Sequence, residues 1–339
     1  MKHHAFSGHV ALIADMQHKF HAAIADLLPG EELSLLDFPM HPNVGDAAIW
    51  LGEIAYLAKA RKDVRYCSSF ANLDPGRLGR ATGRAPILLH GGGNFGDIWL
   101  HHQTFRERVI DRFRDHRIVQ LPQSIHYRSE ARADETARII ERHPDFVLLV
   151  RDRPSLEFAR RKFQCEVRLA PDAAFNIGPR DSSPPNFDVL ALMRTDGERC
   201  VRPAGAIVPD VPTEDWLDES RLRNRVAVVA GAVSGAVHGA DRARLSRFNS
   251  AAQARVRRGL GQLSRGRVIV TDRLHGHILS TLLGRPQALL DNDYGKIGRF
   301  LEAFTGGTDL TYTATSLDDA LEWSIGKAQT LAPPASLAA

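Results

Sequence analysis

Between residues 33 and 176 the chain alternates short apolar runs with amphipathic stretches, and few folds accept such a pattern. The runs "LSLLDF" (33–38), "DVRYCSSF", "APILLHGG", "HRIVQLPQS", "DFVLLVRD" and "CEVRLAPDAAF" are continuous in their apolar residues. A strand of that kind is buried on both faces. The intervening segments "DAAIWLGEIAYLAKA" (46–60), "HQTFRERVIDRF", "SEARADETARIIERH" and "RPSLEFARRKF" repeat their apolar residues at helical spacing. Strand–helix–strand repetition of this kind gives a parallel sheet with helices on both sides. A leading helix is expected over residues 8–28, with Leu12, Ile13, Met16, Phe20, Ile24 and Leu27 on one face.

After the linker-like "GPRDSSPPN" (178–186) the pattern resumes with the strand "FDVLALMRT" (187–195). A long helix is expected over about 243–264, then the strand "RVIV", the helix "ILSTLL", the strand "QALLDND" and the helix "KIGRFLEAF". Residues 196–240 are rich in Gly, Pro and Ala and follow no period, and the Ala/Pro-rich tail from 327 reads as frayed. The expectation is an α/β protein of two Rossmann-like parallel-sheet domains facing a cleft. They would be an N-terminal domain over 1–180 and a C-terminal domain over 187–326, followed by a flexible tail over 327–339.

A chain of 339 residues can supply two such cores, and 43% apolar with 25% charged residues is globular in character. The net charge of +4 is too mild to argue for nucleic acid, but it suits an anionic small substrate or an acidic glycan. Cys67, Cys165 and Cys200 are scattered, with no CxxC pair, as in reduced cytosolic proteins. "MKHHAFSGHV" has no leader character and no run of about eighteen apolar residues follows. The expected location is the cytoplasm, with peripheral contact at the inner face of the membrane left open. The arginines between 242 and 267 read as a solvated helix face. Attraction to anionic lipid or a lipid-linked phosphate is the sharper alternative.

Ligands of open α/β sheets bind where strands end, and that edge collects this chain's polar residues. "HPNVGDAAIW" brings Asn43 and Asp46 to a helix start, with Gly45 permitting a tight turn and Asp46 as the expected N-cap. "LLHGGGNFGDIW" ends a strand in glycines that bring backbone close to a ligand, with Asn94 and Asp97 as partners for sugar hydroxyls. Its spacing fits neither a dinucleotide fingerprint nor a P-loop. "LPQSIHY" adds Gln123, Ser124 and His126. Arg194 ends a buried apolar run, a costly position unless the charge is paired or meets an anion. In "TDRLHGH", Arg273 and His275 stand at a strand–helix seam, where a helix start and a guanidinium favour anions and an imidazole moves protons. The HxH pair lacks a third metal ligand, and "DND" (291–293) reads as a strand end, so no metal is expected.

In order and spacing, "NVGDAAIW", "LLHGGGNFGD", "LPQSIHY", "VRDRPS", "APDAAF", "LMRTD", "TDRLHGHILSTLLGRP" and "DNDYGKIGRF" resemble the polysaccharide pyruvyl transferase family over about residues 40–305. The resemblance implies a fold like the GT-B glycosyltransferases. It also implies phosphoenolpyruvate as donor and co-substrate, with no resident cofactor, and a sugar or lipid-linked oligosaccharide as acceptor. The product would carry a pyruvate ketal across two hydroxyls. On that reading Arg194, Arg273, Leu274, His275 and Gly276 form the donor side, with Arg273 and His275 catalytic. Asn43, Asp46, Asn94, Asp97, Gln123 and His126 form the acceptor side. A GT-B sugar transferase using a nucleotide sugar and a non-catalytic glycan-binding protein are the competing readings.

Overall fold

Among the described residues of the computed structural model every strand pairing is parallel, and the strands fall into two sheets. The structure describes residues 8–195, 211–217, 239–291 and 295–331. The first sheet holds β1 (Glu32–Leu36), β2 (Asp63–Ser68), β3 (Ile87–Leu89), β4 (Gly92–Gly96), β5 (Ile118–His126), β6 (Phe146–Val150) and β7 (Glu166–Leu169). Its order is β2-β1-β3-β5-β6-β7, with β4 also beside β5. The second holds β8 (Phe187–Leu192), β9 (Thr213–Glu214), β10 (Gly266–Thr271), β11 (Gln287–Leu290) and β12 (Thr311–Ala314), in the order β12-β11-β10-β8-β9.

The helices that cover the first sheet are α1 (His9–Ile24), α2 (Val44–Lys59), α3 (Pro75–Thr82), α4 (Leu100–Arg112), α5 (Glu130–Glu141) and α6 (Arg153–Lys162). The later part of the chain supplies α7 (Ala240–Ser264), α8 (Leu274–Leu282), α9 (Lys296–Phe300), which runs on into a π turn, and α10 (Leu317–Thr330). The largest hydrophobic cluster joins the two parts of the chain. It takes Phe20 from α1, Trp50 from α2, Leu149 from the first sheet, Leu192 from the second, Phe248 from α7 and Ile278 from α8. Smaller clusters back the outer face of each sheet.

Three local expectations are corrected. The glycine run, read as the end of a strand, forms a further strand, β4, along β5. Gly96 has φ 125°, and a side chain there would collide with the His126 carbonyl, so the glycines permit close strand approach. The expected tail is helical at its start, because α10 runs to Thr330; residues 332–339 lie outside the described residues. Of the unassigned 196–240 stretch, 196–210 and 218–238 lie outside as well, and Thr213–Glu214 within it forms the edge strand β9.

The basic stretch is not a uniformly solvated face either. Arg242 pairs with Asp63 at 2.5 Å and Arg265 with Glu214 at 2.5 Å. Arg244, Arg255 and Arg258 donate to backbone carbonyls of Cys67, Pro39, Met40, Pro42 and Trp216. They face inward because α7 lies across α2 and β2, while Arg247 and Arg257 remain on the outer side. Among the described residues no helix is long and apolar enough to cross a membrane.

Candidate active site

The corner at the end of β10 is shaped by one hydroxyl. Thr271 Oγ1 donates to the Leu192 carbonyl at 2.7 Å and accepts from the Arg273 N–H at 3.1 Å, which ties β10 to β8 as the chain turns into α8. A side chain on Gly276 would strike that threonine, so glycine lets the first turn of α8 seat against the strand end. Arg273 is the residue before the helix, with no side chain capping the first turn. N–H groups in the first turn of a helix favour an anion.

Arg194 stands at the end of the neighbouring β8, and its N–H donates to Asp272 Oδ1 at 2.8 Å. Arg273 is buried; its Nη2 lies 2.6 Å from Asp215 Oδ1, and its guanidinium sits 5.5 Å from the centroid of the Trp216 ring. Asp215 also accepts from the Thr195 N–H and hydroxyl at 2.9 and 2.7 Å. The two arginines therefore occupy adjacent strand ends, joined through Asp272 and Asp215.

The first sheet supplies the surroundings of His275. Its Nε2 lies 3.4 Å from Asp172 Oδ2, an ion-pair contact longer than a well-formed hydrogen bond. The ring rests on the backbone of Gly45, where a Cβ would fall 2.5 Å from Nδ1. With 12% of its side chain exposed, His275 is held but reachable. Asp172 follows β7 and caps the next turn through the Ala174 N–H at 2.9 Å. Arg151, at the end of β6, donates from Nη1 to Asp172 at 2.5 Å and from Nε to Ser124 Oγ at 3.0 Å. Burial opposes ionisation of Asp172, but His275 and then Arg151 outweigh it and hold the carboxyl far below the usual carboxylate range.

The N-terminus of α2 closes the corner. Asn43 caps it by accepting from the Gly45 N–H at 2.9 Å. Asp46 lies in the first turn, with His41 Nε2 3.5 Å away. Burial would raise the Asp46 carboxyl, yet His41, His275, His90 and Arg151 lower it on balance. Beneath lies a buried pair, His90 Nδ1 and Glu53 Oε2 at 2.8 Å, with Glu53 also accepting from the Gly91 N–H. Burial raises the Glu53 carboxyl despite that imidazole.

Of the six acceptor-side residues expected from sequence, Asp46 is brought beside His275. Asn94 Oδ1 accepts from Gln123 at 3.0 Å and Arg106 at 2.8 Å, and the fully buried Gln123 also donates to the His90 carbonyl. Asp97 accepts from the Arg128 and Ser129 N–H groups and so joins the end of β4 to the start of α5. His126 lines a separate cavity of about 300 Å³ with Tyr127, Phe158 and Arg161. On the donor side, Leu274, the first residue of α8, is buried. His277, the second histidine of HxH, is buried between Gln287 and Thr305. Sequence reasoning missed Asp172, Arg151, Asp215 and His41. The first two lie in strand-end stretches, "APDAAF" and "VRDRPS", where the same edge rule would have flagged them.

An imidazole backed by a buried carboxylate, in the first turn of a helix, can move protons next to an anion. The family model for polysaccharide pyruvyl transferase matches residues 43–294. Pyruvyl transferase 1 of Schizosaccharomyces pombe is 32% identical over 327 residues, covering 87% of this chain and 76% of that protein. Putative pyruvyl transferase EpsO of Bacillus subtilis is 29% identical over 296 residues, covering 86% of this chain and 91% of that protein. The crystal structure of a functionally uncharacterised protein from Klebsiella pneumoniae shares the fold, with a TM-score of 0.56 at 17% identity over 89% of this chain and 99% of that one. The match over most of the sequence makes this chain a member of the polysaccharide pyruvyl transferase family.

Proposed function

We propose that the protein transfers the pyruvyl group of phosphoenolpyruvate onto two hydroxyls of one sugar, in an exopolysaccharide, a cell-surface glycan or its lipid-linked precursor. The product is a pyruvate ketal. The observation that carries this reading is His275, backed by Asp172 and Arg151, at the helix start that follows Arg273, with Arg194 ending the adjacent strand and its backbone tied to Asp272. Phosphoenolpyruvate carries a carboxylate and a phosphate, and a phosphate monoester alone contributes nearly two charges. Arg194, Arg273 and the N–H groups of the first turn of α8 supply the opposite charge.

In the first step a sugar hydroxyl attacks the carbon that bears the phosphate, and the adjacent methylene carbon takes a proton. In the second, another hydroxyl of the same sugar bonds to that carbon as the carbon–oxygen bond to phosphate breaks. Two hydroxyl protons leave, one ending on the methyl group and one on the departing phosphate. His275 is the acid/base that handles them, for which a placed imidazole gives roughly 10²–10⁴-fold. Arg273 and Arg194 steady the phosphate as charge builds on it. The reaction consumes phosphoenolpyruvate as co-substrate and calls on no resident cofactor or metal. The reading places the protein in the cytoplasm, with lipid-linked acceptors reached at the inner face of the membrane.

Thermal unfolding tests the donor. Phosphoenolpyruvate at a large excess over its Kd should raise Tm, and nucleotide sugars should not. Stabilisation by a nucleotide sugar alone would make the protein a sugar transferase instead. Phosphoenolpyruvate binding without phosphate release, in the presence of any glycan, would leave it a binding protein.

A further inference from the structure

The segment between β1 and α2 follows one face of α7 almost residue by residue. Phe38 stacks on Phe248 with ring centroids 4.1 Å apart and planes 3° from parallel. Arg255, itself buried, donates to the Pro39 carbonyl at 3.0 Å and the Met40 carbonyl at 3.3 Å. Arg258 Nη2 donates to the Pro42 carbonyl at 3.0 Å. Gly259 lies so close to Val44 that a Cβ there would overlap the valine side chain. Phe248, Arg255 and Gly259 recur at helical spacing, so a single stripe of α7 carries the contacts. The segment starts at Asp37, whose φ of 72° is costly for a residue with a side chain and whose carboxylate is held by His102 at 2.9 Å. It ends at the cap of α2, where Gly45 meets the His275 ring.

One of these contacts reaches further. The same Arg258 Nη2 donates to the Trp216 carbonyl at 2.7 Å. Trp216 lies under the Arg273 guanidinium, and Asp215 before it holds that guanidinium. A single guanidinium nitrogen therefore joins the segment bearing His41, Asn43 and Asp46 to the turn that seats Arg273.

We infer that Arg258 is a positioning residue that fixes the separation between the His41–Asp46 side of the site and the Arg273 side. It joins the two sides through the Pro42 and Trp216 carbonyls. Arg255 holds the same segment without reaching the 215–216 turn, which makes it the natural control. The functional part of the inference rests on the pyruvyl-transfer reading above, and the structural part does not.

The test uses the full chain with Arg258→Met, Arg258→Lys and Arg255→Met, followed by steady-state kinetics and amide hydrogen exchange. Displacing reacting groups by about an ångström costs on the order of 10²-fold. Arg258→Met should therefore lower kcat roughly 10- to 100-fold and raise KM for phosphoenolpyruvate, with Arg258→Lys recovering part of both. Amide exchange in Arg258→Met should rise together over residues 40–46 and 213–217, while β10 keeps its protection. In Arg255→Met it should rise over 40–46 alone. Unchanged kcat and KM in Arg258→Met would overturn the positioning role. So would increased exchange in only one of the two segments. If Arg258→Met fails to fold, Arg258→Lys decides on the same readouts: wild-type kinetics together with wild-type exchange in both segments would overturn the role. If the wild-type protein shows no pyruvyl transfer, the functional reading falls, and the exchange pattern still decides whether Arg258 couples the two segments.

Discussion

His275 has a carboxylate on one side and a glycine backbone on the other, so its ring is held by charge and by shape. A carboxylate behind an imidazole orients the ring for proton transfer. Asp172→Asn keeps the shape and removes the charge. It should lower kcat by roughly 10²–10⁴-fold while leaving phosphoenolpyruvate affinity nearly intact. Steady-state rates and a binding isotherm check this, and an undiminished kcat would remove Asp172 from the proton path. Asp172 and His277 respond to acid differently. A depressed carboxyl contributes stability that is present above its unfolded value of about 3.9 and is lost only as pH falls toward the lower folded value. His277 is pushed down to about 4 from 6.5 by burial, only partly offset by its bond to Gln287. The unfolded chain therefore takes up a proton there before the folded protein does, and stability falls as pH drops from 6.5 to about 4. At 1.36 kcal/mol per unit this is on the order of 3 kcal/mol. Denaturant unfolding between pH 7 and 4 should show a shallower loss in His277→Gln than in wild type, and equal slopes would place the acid lability elsewhere. The sequence showed Arg194, Arg273 and His275 through their places at strand ends. It did not show the pairing of Asp172 with His275 and Arg151, because those contacts join elements far apart along the chain.

Helix α2 carries its cap and its close contact within three residues. Asn43 supplies the cap, and Gly45 admits the His275 ring. Gly45→Ala should push the ring aside and cost on the order of 10²-fold in kcat. Stability should stay within about 1 kcal/mol, because alanine favours a helix interior by roughly that amount. Rates measured beside Tm separate the two effects, and full activity in a stable Gly45→Ala protein would show that the ring does not need this seat. The helix itself was legible in "NVGD", but its cap was misplaced: Asp46 was expected there, while the helix starts at Val44 and Asn43 caps it, because both side chains suit a cap and local sequence does not choose between them. That Gly45 serves a histidine in the first turn of α8 was not legible, because nothing local records it. β4 was hidden for a related reason: "GGNFG" has loop composition, and its strand character comes from packing against β5. The short α3, polar along most of its length, gave no apolar period to read.

At the scale of the whole molecule, alternation in the sequence was enough to give parallel sheets covered by helices, since buried strands and amphipathic helices leave few other arrangements. How tightly the two parts of the chain join was not legible, because the joining helix α7 looked like a charged surface. Its arginines instead donate across to the carbonyls ahead of α2, and the main hydrophobic cluster spans both sheets. A shared core should unfold cooperatively, so calorimetry should show one transition with matching calorimetric and van't Hoff enthalpies. Two resolved transitions would mean that the sheets melt separately. The most direct measurement of the central claim is incubation of wild-type protein and His275→Ala with phosphoenolpyruvate and a panel of glycan acceptors, read by mass spectrometry and phosphate release. The account predicts a pyruvylated glycan and matching phosphate from the wild type, and neither from a folded His275→Ala protein. Equal turnover by the two proteins would contradict it.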